Sequence, residues 1–392
     1  MPIAVYALAL AAFAIGTAEF IISGILPPLA SDLGVSIPTA GLLVSAYAIG
    51  VAVGGPVLTI FTARFPPRNV IITVMVTFAI SQVLCALAPD YGLLLLARLL
   101  SACGHGVFFG AGNVVVSRVV PLERRGAAFS LFIGGITIAN LLGLPGGTAI
   151  GVAFGWRMTF LAVAALGVLA IIVLLFKLPR LPEAGHVTGN TRSQFAALRH
   201  QQVWMSYLTI TIVMIGALTF GTYQVPLLLE ITRVDPAIVP IYLLLGGVGA
   251  VLGIYAGGQA TDWKPMPSLI VILLLQAAFF FTMATFGAYD KVFMAINIFL
   301  SGLFGFAFST PLQARVMHAA REAPNLAASL ISTAFNIGIA GGAFLGAMLL
   351  NGGVHLGDLP FVGTVTALTA AGIAWLSWTI EKRQARAEAA PA

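Results

Sequence analysis

Residues 4–26 read AVYALALAAFAIGTAEFIISGIL, an unbroken apolar run interrupted by a single acid, Glu19. About 20 apolar residues suffice for a helix to cross a hydrocarbon layer roughly 30 Å thick, so a run of this length predicts a membrane span. No positively charged start or small-residue cleavage pattern accompanies it, so it is expected to stay as the first membrane helix. The same test applied along the 392 residues finds eleven more stretches, near 38–61, 70–88, 92–117, 128–150, 158–177, 204–225, 238–260, 268–287, 292–314, 326–350 and 361–380. The composition agrees, with 59% hydrophobic and 8% charged residues. A water-facing surface built from so few charges would aggregate, whereas lipid accepts it. A soluble enzyme, a nucleic-acid-binding domain and a disordered chain are thereby excluded.

The connectors are short and carry turn residues, as at Pro66-Pro67, Pro89-Asp90-Tyr91-Gly92 and Pro265-Met266-Pro267. The longest, 178–203, is the polar stretch of the interior, and it divides the chain into 1–177, the linker, and 204–392. The expected fold is therefore all-α, with twelve transmembrane helices in two pseudo-symmetric bundles of six. An offset close to 200 residues relates the halves. Asp90 matches Asp290, and the small-residue run Gly143–Gly147 lies near the counterpart of Gly341–Gly346. Duplication of six helices is the architecture of a carrier whose bundles rock against each other. Of the 19 Lys and Arg, 15 fall in connectors on the side of the termini, which predicts cytoplasmic termini; the other four are Arg98, Arg157, Arg233 and Lys291.

Charge is costly in hydrocarbon, so an ionisable residue inside a span is informative. Glu19 lies well inside its helix and His105 lies near the middle of the fourth, within Gly104-His105-Gly106. A carboxyl group and an imidazole can both load and release a proton, which suits a proton carrier. The alternative for each is a satisfied, non-titrating core residue. Arg98, one or two turns into the fourth helix, must be neutralised or reach the surface. It can bind an anion, modulate a nearby acid or hold helices together; support of helices or of coupling is preferred. Tyr47, Asn113, Asn140, Tyr223, Gln224, Asn297, Gln313 and Asn336 are candidates to line a central cavity, with hydrogen bonding between helices as the alternative for each. Cys85 and Cys103 fall in apolar segments and read as core residues. No Walker loop, metal-ligand spacing or strand-borne dinucleotide fingerprint occurs, so neither catalysis nor a cofactor is expected.

These residues resemble the major facilitator superfamily, and within it the bacterial drug and sugar efflux branch of proton antiporters, over the whole length. Gly16-Thr17-Ala18-Glu19-Phe20 with Gly24-Ile25-Leu26-Pro27 is similar to the first-helix signature of the arabinose, sugar and chloramphenicol exporters. Arg98 to Gly106 resembles the fourth-helix pattern R-x-x-x-x-x-G-x-G, with His105 at a position where the arabinose-exporter group usually has histidine. Leu144-Pro145-Gly146-Gly147 is similar to the antiporter motif of the fifth helix, which implies a gating role for Pro145. The loop Thr62 to Arg68 departs from the family pattern by carrying no acid, while Asp262 in the second half retains one and is a candidate gate residue.

The resemblance implies export of a small organic molecule, drug-like or sugar-like, across a bacterial inner membrane, with the proton as coupling ion. Uptake of a sugar or nucleoside by a facilitator or symporter is the second reading, and a membrane sensor without flux the third. The expected partners are the substrate and the lipid bilayer, with no nucleic acid, and a monomer is expected.

Overall fold

The computed structural model describes residues 1–62, 64–180, 201–319 and 324–388. Most of the expected linker 178–203 lies outside the described residues, as do Arg192, Arg199 and Arg321. Among the described residues there are twelve helices long and apolar enough to span a membrane. In chain order they are α1 (Ile3–Asp32), α2 (Ile37–Thr62), α3 (Pro67–Leu87), α4 (Tyr91–Val119), α5 (Leu122–Phe154) and α6 (Trp156–Lys177), followed by α7 (Gln201–Glu230), α8 (Val239–Trp263), α9 (Pro265–Thr285), α10 (Lys291–Ala319), α11 (Pro324–Asn351) and α12 (Leu359–Glu388). No strand occurs among those residues. Large apolar side chains such as Ile60, Phe154 and Phe176 stand exposed on the outside, as a lipid-facing surface requires.

Local chemistry sets the helix ends. The Asp90 carboxylate accepts from the Leu93 amide at 2.9 Å, and Asp290 accepts from Val292 and Phe293 at 2.9 and 3.0 Å, so the two acids matched by the repeat cap α4 and α10 alike. Gly155 turns α5 into α6 with φ of 90°, a conformation that disfavours any side chain. Arg68 donates to the Leu178 and Leu175 carbonyls at 3.0 and 2.9 Å, closing the end of α6. Helices α2 and α5 are each interrupted by a π-turn, at Gly50–Gly54 and Ala139–Gly143. In both, a proline follows two residues later, Pro56 and Pro145. Proline has no amide proton and crowds the preceding turn, which displaces the regular hydrogen bonds.

The halves repeat one packing scheme. Helix α1 packs on α5 and α6, α3 on α4 and α6, and α2 on α4; correspondingly α7 packs on α11 and α12, α9 on α10 and α12, and α8 on α10. The halves meet in a seam where α2 packs on α11 and α5 on α8, two contacts that exchanging the halves converts into one another, and also where α1 meets the last part of α7. The Gly-rich runs serve close approach: Gly143 and Gly147 lie against Thr17 and Ile21 of α1, and Gly342 and Gly346 against α7.

The apolar core shows which end is shut. Away from the termini, both halves share one core that includes Leu29, Leu43, Trp156, Phe220, Tyr223, Leu243 and Ile298. Toward the termini, the halves keep separate cores, one around Leu8, Met75, Phe108 and Phe132 and the other around Tyr207, Leu269, Phe308 and Leu312. The bundles are thus joined at one end and parted at the other.

Candidate functional site

Helical spacing places Arg98, Ser101 and His105 along one stripe of α4, facing α1, α2 and α3. His105 lies roughly 20 Å along α4 from the closed end and Glu19 roughly the same distance along α1, by helical rise. Both therefore sit near the middle of the membrane.

Arg98 is fully buried, and it does not reach for the surface. Its Nη1 donates to the Ala18 carbonyl at 2.5 Å, one residue before Glu19, and its guanidinium carbon stands 4.1 Å from the centre of the Tyr47 ring. Its Nε and Nη2 make no hydrogen bond among the described residues. Tyr47, also buried, places its hydroxyl 3.2 Å from His105 Nδ1, and the His105 ring packs on Phe109 with centroids 5.1 Å apart. Alongside, Gln82 Nε2 donates to Ser101 Oγ at 3.0 Å, while Gln82 Oε1 is without a partner. Glu19 keeps part of its surface accessible and, among the described residues, forms neither a hydrogen bond nor an ion pair, but it is near enough to Arg98 for the two charges to interact.

The result is a line of four side chains on three helices, Glu19, Arg98, Tyr47 and His105. Glu19 and His105 are not in direct hydrogen-bonded contact; Arg98 and Tyr47 stand between them. Magnitudes show why the carboxylate matters. A charge-assisted hydrogen bond contributes about 1.5–3 kcal/mol and a desolvated cation–π contact about 2 kcal/mol, against an effective cost of several kcal/mol for burying an ion. The two contacts of Arg98 are comparable to that cost but leave Nε and Nη2 without partners, so the charge on Glu19 bears directly on the guanidinium beside it.

The other candidates are scattered. Asn113 is exposed on α4, Asn140 is half-buried within the π-turn of α5, and Gln224 is half-buried where α7 restarts after a break at Thr222–Tyr223. Tyr223 is wholly buried in the shared core, its hydroxyl donating to the Ala343 carbonyl at 3.0 Å and its ring lying against Gly41 and Gly346. Asn297 is buried against Gly287, and Asn336 donates to the Ser332 carbonyl on its own helix at 3.0 Å. Gln313 is exposed on α10. Pro145 is buried directly after its π-turn, and Asp262 is exposed in the last turn of α8 without an ion pair among the described residues.

Sequence reasoning passed over three participants. Asp32, read as a connector acid, pairs with Arg157, whose guanidinium lies over Trp156 and donates to the Ala88 carbonyl at 3.1 Å, tying α1, α3 and α6 at the closed end. Ser45 of α2 donates across the seam to the Ala340 carbonyl of α11 at 2.9 Å. Arg315, counted only for orientation, bonds Gln202, Ser377 and Glu381, joining α10 to α7 and α12. The helical spacing of Ser101 and Gln82 relative to Arg98 and Cys85 was the one sequence signal available for the lining of the arginine site.

Twelve spans in two equivalent halves, joined at one end and parted at the other around ionisable residues at mid-membrane, define a membrane transporter. The Major Facilitator Superfamily model matches residues 8–343, and the chain belongs to that family. It is 40% identical over 362 residues to the inner membrane transport protein YdhP of Escherichia coli O157:H7, covering 92% of each chain. It is 30% identical over 352 residues to a chloramphenicol resistance protein of Streptomyces lividans, covering 89% of this chain and 90% of that one. Among solved structures, a bacterial homologue of the human lysosomal transporter Spinster, inward-facing and occupied, superposes with a TM-score of 0.78 at 17% identity over 96% of each chain, a likeness of fold.

Proposed function

We propose that this chain is a proton-coupled efflux antiporter that moves a small organic molecule across the bacterial inner membrane by alternating access. The observation that carries the reading is Glu19, an acid at mid-membrane that retains accessible surface and has no hydrogen-bond partner among the described residues, beside an arginine whose burial its charge offsets. Such a group binds either a proton or, as a carboxylate, a hydroxyl, amide or ammonium donor of a substrate, and occupancy by one disfavours the other. In the state open away from the termini Glu19 takes up a proton; in the state described here, open toward the termini, it gives the proton up as substrate enters. Coupling follows because each species stabilises a different arrangement of the two bundles. His105, reached through Tyr47, tunes or relays that proton. Asn113, Asn140 and Gln224, which keep accessible surface without side-chain hydrogen-bond partners among the described residues, are the polar residues we assign to the substrate path. The Lys and Arg excess on the side of the termini supports a cytoplasmic placement for them. Efflux is supported by the likeness to the chloramphenicol resistance protein.

The test is purified protein in proteoliposomes, with chloramphenicol and a panel of sugars added outside and a lumenal pH dye as readout. Antiport makes the lumen more alkaline as substrate enters; symport makes it more acidic. Substrate movement without any pH change, or full substrate-driven proton movement by Glu19→Gln, overturns the proposal.

A further inference from the structure

Helix α2 touches both the proton site and the seam. Ser45 makes the hydrogen bond to the Ala340 carbonyl of α11, and two residues later Tyr47 meets His105 Nδ1. Tyr47, Val51 and Ala102 form a small apolar cluster of their own between α2 and α4. Three residues beyond Tyr47 the π-turn Gly50–Gly54 begins, and it packs on α4 in its own half and on α11 in the other. The fit against α4 is close. A methyl group on Gly50 would stand 2.7 Å from the Ala102 side chain, one on Gly54 2.8 Å from Cys103 Sγ, and one on Gly55 3.0 Å from the Gly106 backbone. The counterpart helix of the second half, α8, runs from Val239 to Trp263 as continuous α-helix. The joint in this pair of equivalent helices thus belongs to the half that holds Glu19 and His105.

We propose that α2 transmits the protonation of His105 to the seam, with Tyr47 as the positioning residue and the π-turn as the joint about which the segment Ile37–Ile49 moves. This rests on the proton-coupled reading above. A neutral His105 with its lone pair on Nδ1 accepts the Tyr47 hydroxyl proton. A proton on Nδ1 turns that nitrogen into a donor, so the hydroxyl must present its oxygen and direct its own proton elsewhere. The ionisable groups acting on Tyr47 from the helices around it are Glu19 on α1, Cys85 on α3 and Arg98 on α4, so a cationic His105 also adds a second positive charge beside Arg98. Tyr47 shifts relative to α4 in response, and because Ser45 lies on the same rigid segment, the hydrogen bond to Ala340 shifts with it.

Hydrogen–deuterium exchange of the full chain in lipid nanodiscs tests this, with protection corrected for the intrinsic pH dependence of exchange. Protection of residues 37–49 in the native chain is expected to change about 2- to 10-fold between about pH 8 and about pH 4, a span wide enough to protonate a buried histidine. Tyr47→Phe keeps the ring over Arg98, and it is expected to abolish that pH dependence while peptides of α1 still respond. Ser45→Ala is expected to lower protection at both pH values and leave their ratio intact. Pro56→Ala, an exposed position that regains an amide proton, is expected to reduce the pH response by stiffening the joint, and it decides the matter if Tyr47→Phe fails to fold. A native pH ratio in Tyr47→Phe, or in Pro56→Ala where the first variant is unfolded, overturns the inference. Substrate-driven proton movement with no pH ratio in α2 overturns it while leaving antiport standing. Loss of the ratio in Tyr47→Phe alongside proton-independent transport supports the transmission and overturns antiport instead.

Discussion

At the scale of single residues, the site is governed by a buried cation that its hydrogen bond and ring contact leave partly unpartnered. Arg98 holds one carbonyl and one ring, and two of its three nitrogens have no hydrogen-bond partner among the described residues. Its stability therefore depends on the charge of Glu19, which predicts non-additivity. Glu19→Gln and Arg98→Ala should each destabilise the protein, and the double variant should cost less than their sum by about 0.5–3 kcal/mol, the range for residues in one network. Unfolding in detergent across the four proteins of that cycle measures it, and strict additivity would show that the two charges do not interact. Arg98→Lys makes a sharper comparison. An ammonium keeps the charge but lacks the planar fork that spans the Ala18 carbonyl and the Tyr47 face, so substrate-driven proton flux should fall although the charge count is unchanged. Retention of native flux in proteoliposomes would reduce Arg98 to a simple point charge.

Helices pack here in two different ways, and the difference assigns roles to them. Gly249, Gly253 and Gly257 of α8 lie one turn apart against the backbone of α10 at Phe299, Leu303 and Ala307, a stripe that fuses those two helices. Helix α2 meets α4 less closely and carries a π-turn at that contact. The α8–α10 pair should therefore behave as a rigid strut. Gly257→Leu drives a side chain into the Ala307 backbone, whereas Gly258→Leu, the next residue, points into open space. The first should lower stability by about 1–3 kcal/mol, as overpacking does, and reduce the yield of folded protein. The second should leave both near native values. Size-exclusion profiles and melting temperatures of the two variants provide the check, and equal losses would dismiss the strut.

The whole molecule is held in one of its states by the seam at the closed end. Gly247 of α8 lies so near α5 that a methyl group there would stand 2.6 Å from the Leu141 Cα. Gly247→Val should accordingly favour the arrangement in which that end opens. Spin labels at Ser31 and Asn351, exposed at the closed-end termini of α1 and α11, should then report longer distances than in the parent, both native thiols having been replaced. An unchanged distribution would mean that the contact does not restrain the bundles. The spans, the matching of Asp90 with Asp290, the two halves and the presence of an acid and an imidazole inside helices were all legible along the chain. Each depends on composition over a turn or over about 20 residues, because lipid tests every helix separately for apolarity and internal hydrogen bonding. The line from Glu19 through Arg98 and Tyr47 to His105, the burial of Tyr223 in the shared core and the choice of which end is shut came from tertiary structure alone. Those features depend on the rotation and tilt of helices far apart in sequence, and stripes of small residues permit many such arrangements until all twelve helices pack together.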